Sequence, residues 1–390
     1  MKPKRSKFSR ALLGGRYEIA GNLPNMFLTI LLLISSILFN LTDNIQFDMR
    51  VFFGLTTIPG KDSYELYNSE VIDFLTRNTT ISREDCHICQ KIPHTPFNYT
   101  YSTPRDLLLF ISFIGFNPFS KVLINNLRSF GCKAKILILF DDKGYEAFEK
   151  SGYKEKIINC SVFPFRANIN ILRDKNNNNK PHRLSVYEAK IKTIGKFMAT
   201  YSHLFENYMT FDLADMLVQA DPFILINHKR EVQLMHENAC VACDDETRVQ
   251  FSYFLKGDLV KYGNFSLITG SVTMGDPFEC TRFYDLVSYY LVKDGRTPPQ
   301  IVDQGIFTHL FFYDIYKYIG LPLRAYHFHQ GYIAPNIELV QGNIFGKVTF
   351  YNTSIYPPVI IHHPQFRCGP CEDYLWKCAE VKSIYTTSWS

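Results

Sequence analysis

Two uninterrupted apolar runs, Asp106-Leu-Leu-Leu-Phe-Ile-Ser-Phe113 and Lys135-Ile-Leu-Ile-Leu-Phe140, constrain this chain more than any other feature. Neither alternates apolar with polar, so each predicts a strand covered on both faces. Between them, Pro118 to Phe130 predicts a helix that begins near Asn117 and ends at Gly131. Strand, helix and strand in that order predict an α/β domain with a mostly parallel sheet under helices. The chain has 390 residues, 46% of them hydrophobic and 15% aromatic, enough for a large core and one large or two modest domains. The net charge of +5 is small for that length, and the basic residues gather only at the N-terminus, so nucleic-acid binding is not suggested.

The start of the chain has a different character. Lys2, Lys4, Arg5, Lys7, Arg10 and Arg16 precede an uncharged apolar run over residues 23–41, close to the roughly 20 residues that span a bilayer. The basic flank predicts a cytosolic tail (residues 1–22), an uncleaved transmembrane signal anchor in the lipid bilayer (23–41) and a luminal remainder. Asn-X-Ser/Thr acceptors at Asn78, Asn98, Asn159, Asn264 and Asn352 agree with that placement, and Asn40 lies too near the membrane to serve. Ten cysteines agree as well. The pairs Cys86/Cys89, Cys240/Cys243 and Cys368/Cys371 have a spacing that suits zinc, a redox dithiol or disulfide staples. Staples are preferred, because no histidine spacing completes a zinc site.

Residues 42–104 read as a stem and an N-terminal extension packed on the main domain, residues 105–367 as that domain, and residues 368–390 as a cysteine-stapled cap. Within the domain, Asp141 and Asp142 end the second strand, where they either meet a nucleotide or cap the next helix, around Gly144 to Ser151. A third short strand is expected near Lys156 to Asn159. A helix from Arg183 to His203 places Arg183 and Lys190 two turns apart, suited to a diphosphate or simply solvated.

That helix leads into Tyr208-Met-Thr-Phe-Asp212-Leu-Ala-Asp215-Met-Leu-Val-Gln219-Ala-Asp221-Pro222-Phe223, the stretch where the chemistry is expected. Carboxylates at the end of a parallel strand can hold a hard divalent cation. Asp212 otherwise caps a helix starting near Leu213. Gly270 and Gly275 either let backbone approach a ligand or are turn glycines. Asp303 either faces a substrate or caps a helix over Gln304 to Tyr318. Val359 to His363 reads as a strand, so His362 and His363 should point to opposite faces; His327, His329 and His362 read as ordinary loop or strand residues.

The blocks Asp212-x-x-Asp215, Val218-Gln219-Ala-Asp221-Pro222-Phe223, Gly270 to Gly275, Asp303-Gln304-Gly305-Ile306-Phe307 and His363-Pro-Gln-Phe-Arg367, in this order, resemble Golgi-type glycosyltransferase-like proteins of the GT-A nucleotide-diphospho-sugar transferase fold. The resemblance spans residues 105–367. It departs at Leu213-Ala214, where such proteins commonly carry Val-Arg, and at Pro364 in place of Gln. It implies a GT-A-like α/β fold and a type II enzyme of the Golgi or ER membrane that moves a sugar from a nucleotide-diphospho-sugar to a glycan or glycoprotein, with retention of configuration. Asp212, Asp215 and His363 would hold Mn²⁺ or Mg²⁺. Arg183, Lys190, Asp212, Gly270 and Gly275 would bind the donor, and Asp303 and Gln304 would form the catalytic pair beside sugar and acceptor. Two other classes stand beside it: a catalytically silent luminal binding or scaffolding protein of the same fold, and a disulfide-rich surface lectin or adhesin.

Overall fold

The computed structural model describes residues 68–79, 81, 85–89, 100–113, 115–169, 173–174, 180–181, 183–213, 216–226, 229–240, 263–292, 303–327, 333–334, 340–344, 347–350 and 359–362. The expected tail and anchor (1–22 and 23–41) and the cap (368–390) lie outside these residues. Among the described residues no helix is long and apolar enough to cross a membrane.

The first two strands form where the apolar runs place them, β1 at Leu107–Ser112 and β2 at Lys135–Phe140, paired in parallel. Alternate residues feed two different cores. Leu108, Phe110, Ile136 and Ile138 face one side with Val122, Leu123 and Leu127 of a helix, whereas Leu107, Leu109, Leu137 and Leu139 face the other with Ile191, Ile194 and Phe197. Continuous apolarity is what a strand with two buried faces needs. After an N-terminal helix α1 (Ser69–Thr76), helix α2 (Pro118–Ser129) starts at Asn117, whose side chain accepts from the Ser120 N–H. It stops at Gly131, which takes φ +80°, a conformation that glycine adopts without a Cβ penalty.

Beyond β2, helix α3 (Asp142–Lys150) and helix α4 (Lys154–Asn159) precede strand β3 (Val162–Arg166), parallel to β2. The third strand therefore lies a few residues later than the one expected near Lys156, and that segment is helical. Lys154-Glu-Lys-Ile-Ile-Asn buries only Ile157, too little apolar surface for a strand inside this sheet. Two short strands, β4 (Arg173–Asp174) and β5 (Lys180–Pro181), pair with one another. Helix α5 (Arg183–Tyr201) then crosses back to strand β6 (Tyr208–Phe211), which pairs in parallel with the other side of β1.

Where a helix could have followed Asp212, Met216–Val218 forms strand β7, buried along its length. Strand β8 (Val232–Cys240) and strand β9 (Ser266–Gly275) follow, then helix α6 (Pro277–Val292), helix α7 (Asp303–Phe312), helix α8 (Ile315–Tyr318) and strand β10 (Leu323–Tyr326). One helix was expected over Gln304 to Tyr318. Asp314, at φ 53°, breaks it in two. Strands β11 (Ile333–Ala334), β12 (Val340–Ile344), β13 (Lys347–Phe350) and β14 (Ile360–His362) complete the described chain, with β14 pairing antiparallel to β7.

The main sheet has seven strands in the order β10-β8-β9-β6-β1-β2-β3. Four of its neighbouring pairs are parallel, and β9 runs against both β6 and β8. It is an α/β architecture with a mostly parallel, Rossmann-like sheet covered by helices. Because the chain leaves β1 towards β2 and β3 and returns on the opposite side at β6, the strand order reverses beside β1. A crevice outside the carboxyl ends of strands at such a reversal is where open α/β sheets bind ligands.

The extension is packed on this sheet. Val71 and Leu75 of α1 join the core, the Asn68 N–H donates to the Tyr201 hydroxyl at 2.8 Å, and Lys135 Nζ donates to the Leu75 and Arg77 carbonyls. A disulfide joins Cys86 to Cys160 across a sequence separation of 74.

Candidate functional site

Asp212 directly follows β6, at the carboxyl edge where the strand order reverses. Lys190, in the middle of α5, reaches it from a helix whose Ala189, Ile191 and Ile194 are anchored in the core. Lys190 Nζ donates to Asp212 Oδ1 at 2.9 Å, to Asp303 Oδ2 at 3.1 Å and to the Gly270 carbonyl at 3.3 Å. The ammonium side chain is 15% exposed, Asp303 6% and Asp212 32%, so Asp212 is the more open of the two carboxylates.

An ammonium has three N–H donors, and these contacts use all three. Lys190 is therefore neither solvated nor a free phosphate contact. It is the charge that holds two carboxylates together. Burial, the largest single influence, pulls its pKa down, but Asp212 and Asp303 outweigh it and carry the ammonium well above the ordinary lysine range. For Asp212, burial pushes the pKa up, and Lys190, His362 and a Ser271 hydrogen bond together push it below the usual carboxylate range. At Asp303 burial prevails over the pull of Lys190, and Asp212 adds repulsion, so its pKa is raised. Asp212 stays ionised while Asp303 takes up a proton more readily.

Asp303 is the first residue of α7, and its Oδ1 accepts from the Gln304 N–H at 2.9 Å. One oxygen takes the next N–H of the helix and the other meets Lys190, so both carboxylate oxygens are engaged within the protein. Gly270 matters for the same reason. A Cβ there would collide with the Asp303 carboxylate, so the missing side chain makes room for Asp303 and not for a ligand. At Gly275, with φ +134°, a Cβ would collide with the Glu231 carbonyl. That glycine serves the close approach of β8 to β9.

His362 ends β14, is 4% exposed, and its Nε2 lies 3.3 Å from Ser271 Oγ. Ser271 also hydrogen-bonds Asp212. Expected as an ordinary strand residue, His362 in fact lies on the Asp212 side of the sheet. Asp215, His363 and the side chain of Arg183 lie outside the described residues, although Arg183 opens α5 as the sequence predicts. Asp141 caps α3 by accepting from the Gly144 N–H at 2.9 Å, and Asp142 pairs with Arg166 at 2.7 Å, which accounts for both without a nucleotide.

Two participants escaped the sequence reading, Ser271 and Glu237. Glu237, on β8, accepts from Gln304 Nε2 at 2.7 Å and is hydrogen-bonded by the Thr269 side chain. Burial raises its pKa, with added repulsion from Asp303 and Asp212. The available signal was strand periodicity: Gln233, Met235 and Glu237 share a face of β8, and a carboxylate at the end of such a row needs a partner.

Asp212 is ionised, partly open and flanked by Ser271, and His362 supplies an imidazole on the same side. Among the described residues no group of three or more His, Cys, Asp or Glu could hold a metal by itself.

Four of the six described cysteines act as staples. Cys86 pairs with Cys160, and Cys89 and Cys240 are also disulfide-bonded, so Cys86 and Cys89 do not form one dithiol. Cys132 and Cys280 are free and buried. The acceptors Asn78, Asn159 and Asn264 are exposed. Comparison of the chain with protein-family models gives no match, and comparison with curated proteins gives none either.

Proposed function

We propose that this protein is a metal-dependent glycosyltransferase of GT-A type, anchored as a type II protein in the Golgi or ER membrane, which moves a sugar from a nucleotide-diphospho-sugar to a glycan or glycoprotein. The observation that carries this reading is convergence: Asp212, Gly270 with Ser271, Asp303 with Gln304, and His362 come from or adjoin separate sequence blocks and meet at one crevice. A chain that used these blocks only for folding would have no reason to gather its carboxylates around one lysine at a ligand-binding edge.

Sugar transfer breaks the bond between the anomeric carbon and a phosphate oxygen, and negative charge grows on the departing diphosphate. A divalent cation held by Asp212 and His362, with Asp215 and His363 as further candidates, would when bound offset that charge. Lys190 keeps Asp212 ionised for that purpose and fixes Asp303 beside it. Gln304, at the start of α7, offers its amide to the sugar or acceptor.

Titration of the detergent-solubilised full chain with Mn²⁺ and UDP-glucose, UDP-galactose, UDP-N-acetylglucosamine and GDP-mannose tests the reading. Binding of at least one donor that needs Mn²⁺, followed by release of its nucleoside diphosphate, is the expected result. A second reading, a silent binding protein, is favoured by two features: Lys190 spends every donor on protein groups, and Leu213-Ala214 supplies no arginine. It predicts binding without turnover.

A further inference from the structure

Glu237 lies outside every sequence block behind the proposed function, yet it is tied to the centre of the site. It accepts from Gln304 Nε2, the Gln304 N–H donates to Asp303 Oδ1, and Asp303 Oδ2 accepts from Lys190. This chain of bonds fixes Gln304 at both its backbone and its side chain.

The side-chain bond has a direction. A glutamine amide carries donors at one end and an acceptor at the other, whereas an ionised carboxylate can only accept. Glu237 therefore dictates that the Gln304 amide nitrogen faces β8 and that its carbonyl oxygen turns away. Thr269 also bonds Glu237. Two donors aimed at one carboxylate favour its ionised form and with it this single orientation of the amide. Among the described residues the surrounding charge is negative: Asp212 and Asp303 share the Lys190 ammonium, and Glu237 feels repulsion from both acids. An acidic group would be repelled here, and a neutral, hydroxyl-bearing group would find an acceptor.

We propose that Glu237 is a positioning residue that locks the Gln304 amide with its carbonyl oxygen towards the sugar of a bound nucleotide sugar, and that this end of the site takes a neutral sugar and excludes an acidic one. The proposal rests on the nucleotide-sugar reading and assigns the sugar end of that same site. Burial and repulsion from Asp303 and Asp212 raise the Glu237 pKa against the two hydrogen bonds, so the lock holds where the pH exceeds that raised value.

The test compares affinities in the full chain with Mn²⁺ present: UDP against UDP-glucose, UDP-galactose, UDP-N-acetylglucosamine and UDP-glucuronate, and GDP against GDP-mannose. The ratio between a bare diphosphate and its sugar conjugate isolates what the sugar contributes. Wild type should prefer a neutral conjugate over the diphosphate and UDP-glucuronate least of all. Glu237→Ala should leave diphosphate affinity unchanged and cut the sugar's contribution about tenfold, the size of one hydrogen bond. Glu237→Gln should also cut it, because two facing amides can invert together. Adding Gln304→Glu to Glu237→Gln should restore it, since a carboxylate presents oxygen whichever way it turns. A purely packing role for Glu237 does not predict that rescue.

If Glu237→Ala unfolds, as its melting curve would show, Glu237→Gln and the double exchange carry the test alone. Retention of the sugar's contribution in Glu237→Gln, failure of the exchange to restore it, or preferred binding of UDP-glucuronate would each overturn the proposal while leaving the nucleotide-sugar reading intact. A wild-type protein that binds none of these compounds would instead remove that reading, and this inference with it.

Discussion

Asp212 and Asp221 stand nine positions apart in one acidic stretch, and the fold treats them in opposite ways. Asp221 is 1% exposed and surrounded by main chain: its Oδ2 accepts from the Tyr101 N–H, the Ser102 N–H and Ser102 Oγ at 2.8, 2.8 and 2.6 Å, and its Oδ1 from the Phe223 N–H at 3.2 Å. Close by, the buried Arg128 guanidinium donates to the Cys160, Cys132, Ala134 and Ser161 carbonyls, which ties the end of α2 to the disulfide-bonded loop. Asp212 keeps a third of its side chain open, and its partners are the side chains of Lys190 and Ser271. Backbone partners cannot be exchanged for a ligand without unfolding the segment, whereas side-chain partners can turn. The first region is a structural knot, the second a place for chemistry.

The largest expected effect strikes the knot. Asp221→Ala would strand four donors, three of them buried, and remove a carboxylate whose charge acts on Arg128, so we expect a loss of about 3 kcal/mol or more in denaturant unfolding. A loss under about 1 kcal/mol would erase the distinction between the two acids. Next comes Cys86→Ser with Cys160→Ser, which opens a loop of 74 residues' separation and should cost about 2–4 kcal/mol while leaving nucleotide-sugar affinity intact at temperatures where the protein is folded. Affinity lost in step with the disulfide would show that knot and crevice are not separate.

A smaller change belongs to the crevice. Gly270→Ala would drive a Cβ into the Asp303 carboxylate and should cost about 1–3 kcal/mol, with a loss of donor binding that exceeds any effect of Gly275→Ala on binding in folded protein. Equal effects at the two glycines would contradict the assignment of Gly275 to strand packing.

The smallest effect concerns pH. Glu237 has a raised pKa in the folded protein, so the folded state holds a proton that the unfolded chain has released. Stability therefore falls as pH rises from the ordinary glutamate range through the raised value. Glu237→Gln should flatten that slope, by about 1 kcal/mol for each unit of displacement, and should gain stability only above that window. Denaturation curves from pH 4 to 8 measure it, and an unchanged slope would refute the assignment.

The legible part of the fold is the part that local pattern decides. Leu107–Ser112, Pro118–Ser129, Lys135–Phe140 and the helix at Arg183 follow from apolar runs, the Asn117 cap and the stop at Gly131. Patterns failed where tertiary pairing overrides them. Met216–Val218 becomes a strand because Ile360–His362, over a hundred residues later, pairs with it. The same limit governed the site. Asp212, Asp303 and Gln304 could be picked by type and position, but no local spacing says that Lys190 spends its donors on residues 22, 80 and 113 positions away. Glu237 was hidden because its partner is 67 positions distant.

The central claim is that Asp212 is the open, ionised carboxylate of a nucleotide-sugar site, and Asp212→Asn tests it most directly. Calorimetric titration of the variant with Mn²⁺ and the tightest-binding nucleotide sugar, alongside its melting curve, separates ligand from fold. The account predicts a loss of at least about 100-fold in metal-dependent affinity, since ligands nearer a metal than its outer supports should exceed the 10–100-fold that those supports contribute, with the melting transition retained. An Asp212→Asn protein that binds Mn²⁺ and nucleotide sugar as wild type does would contradict it.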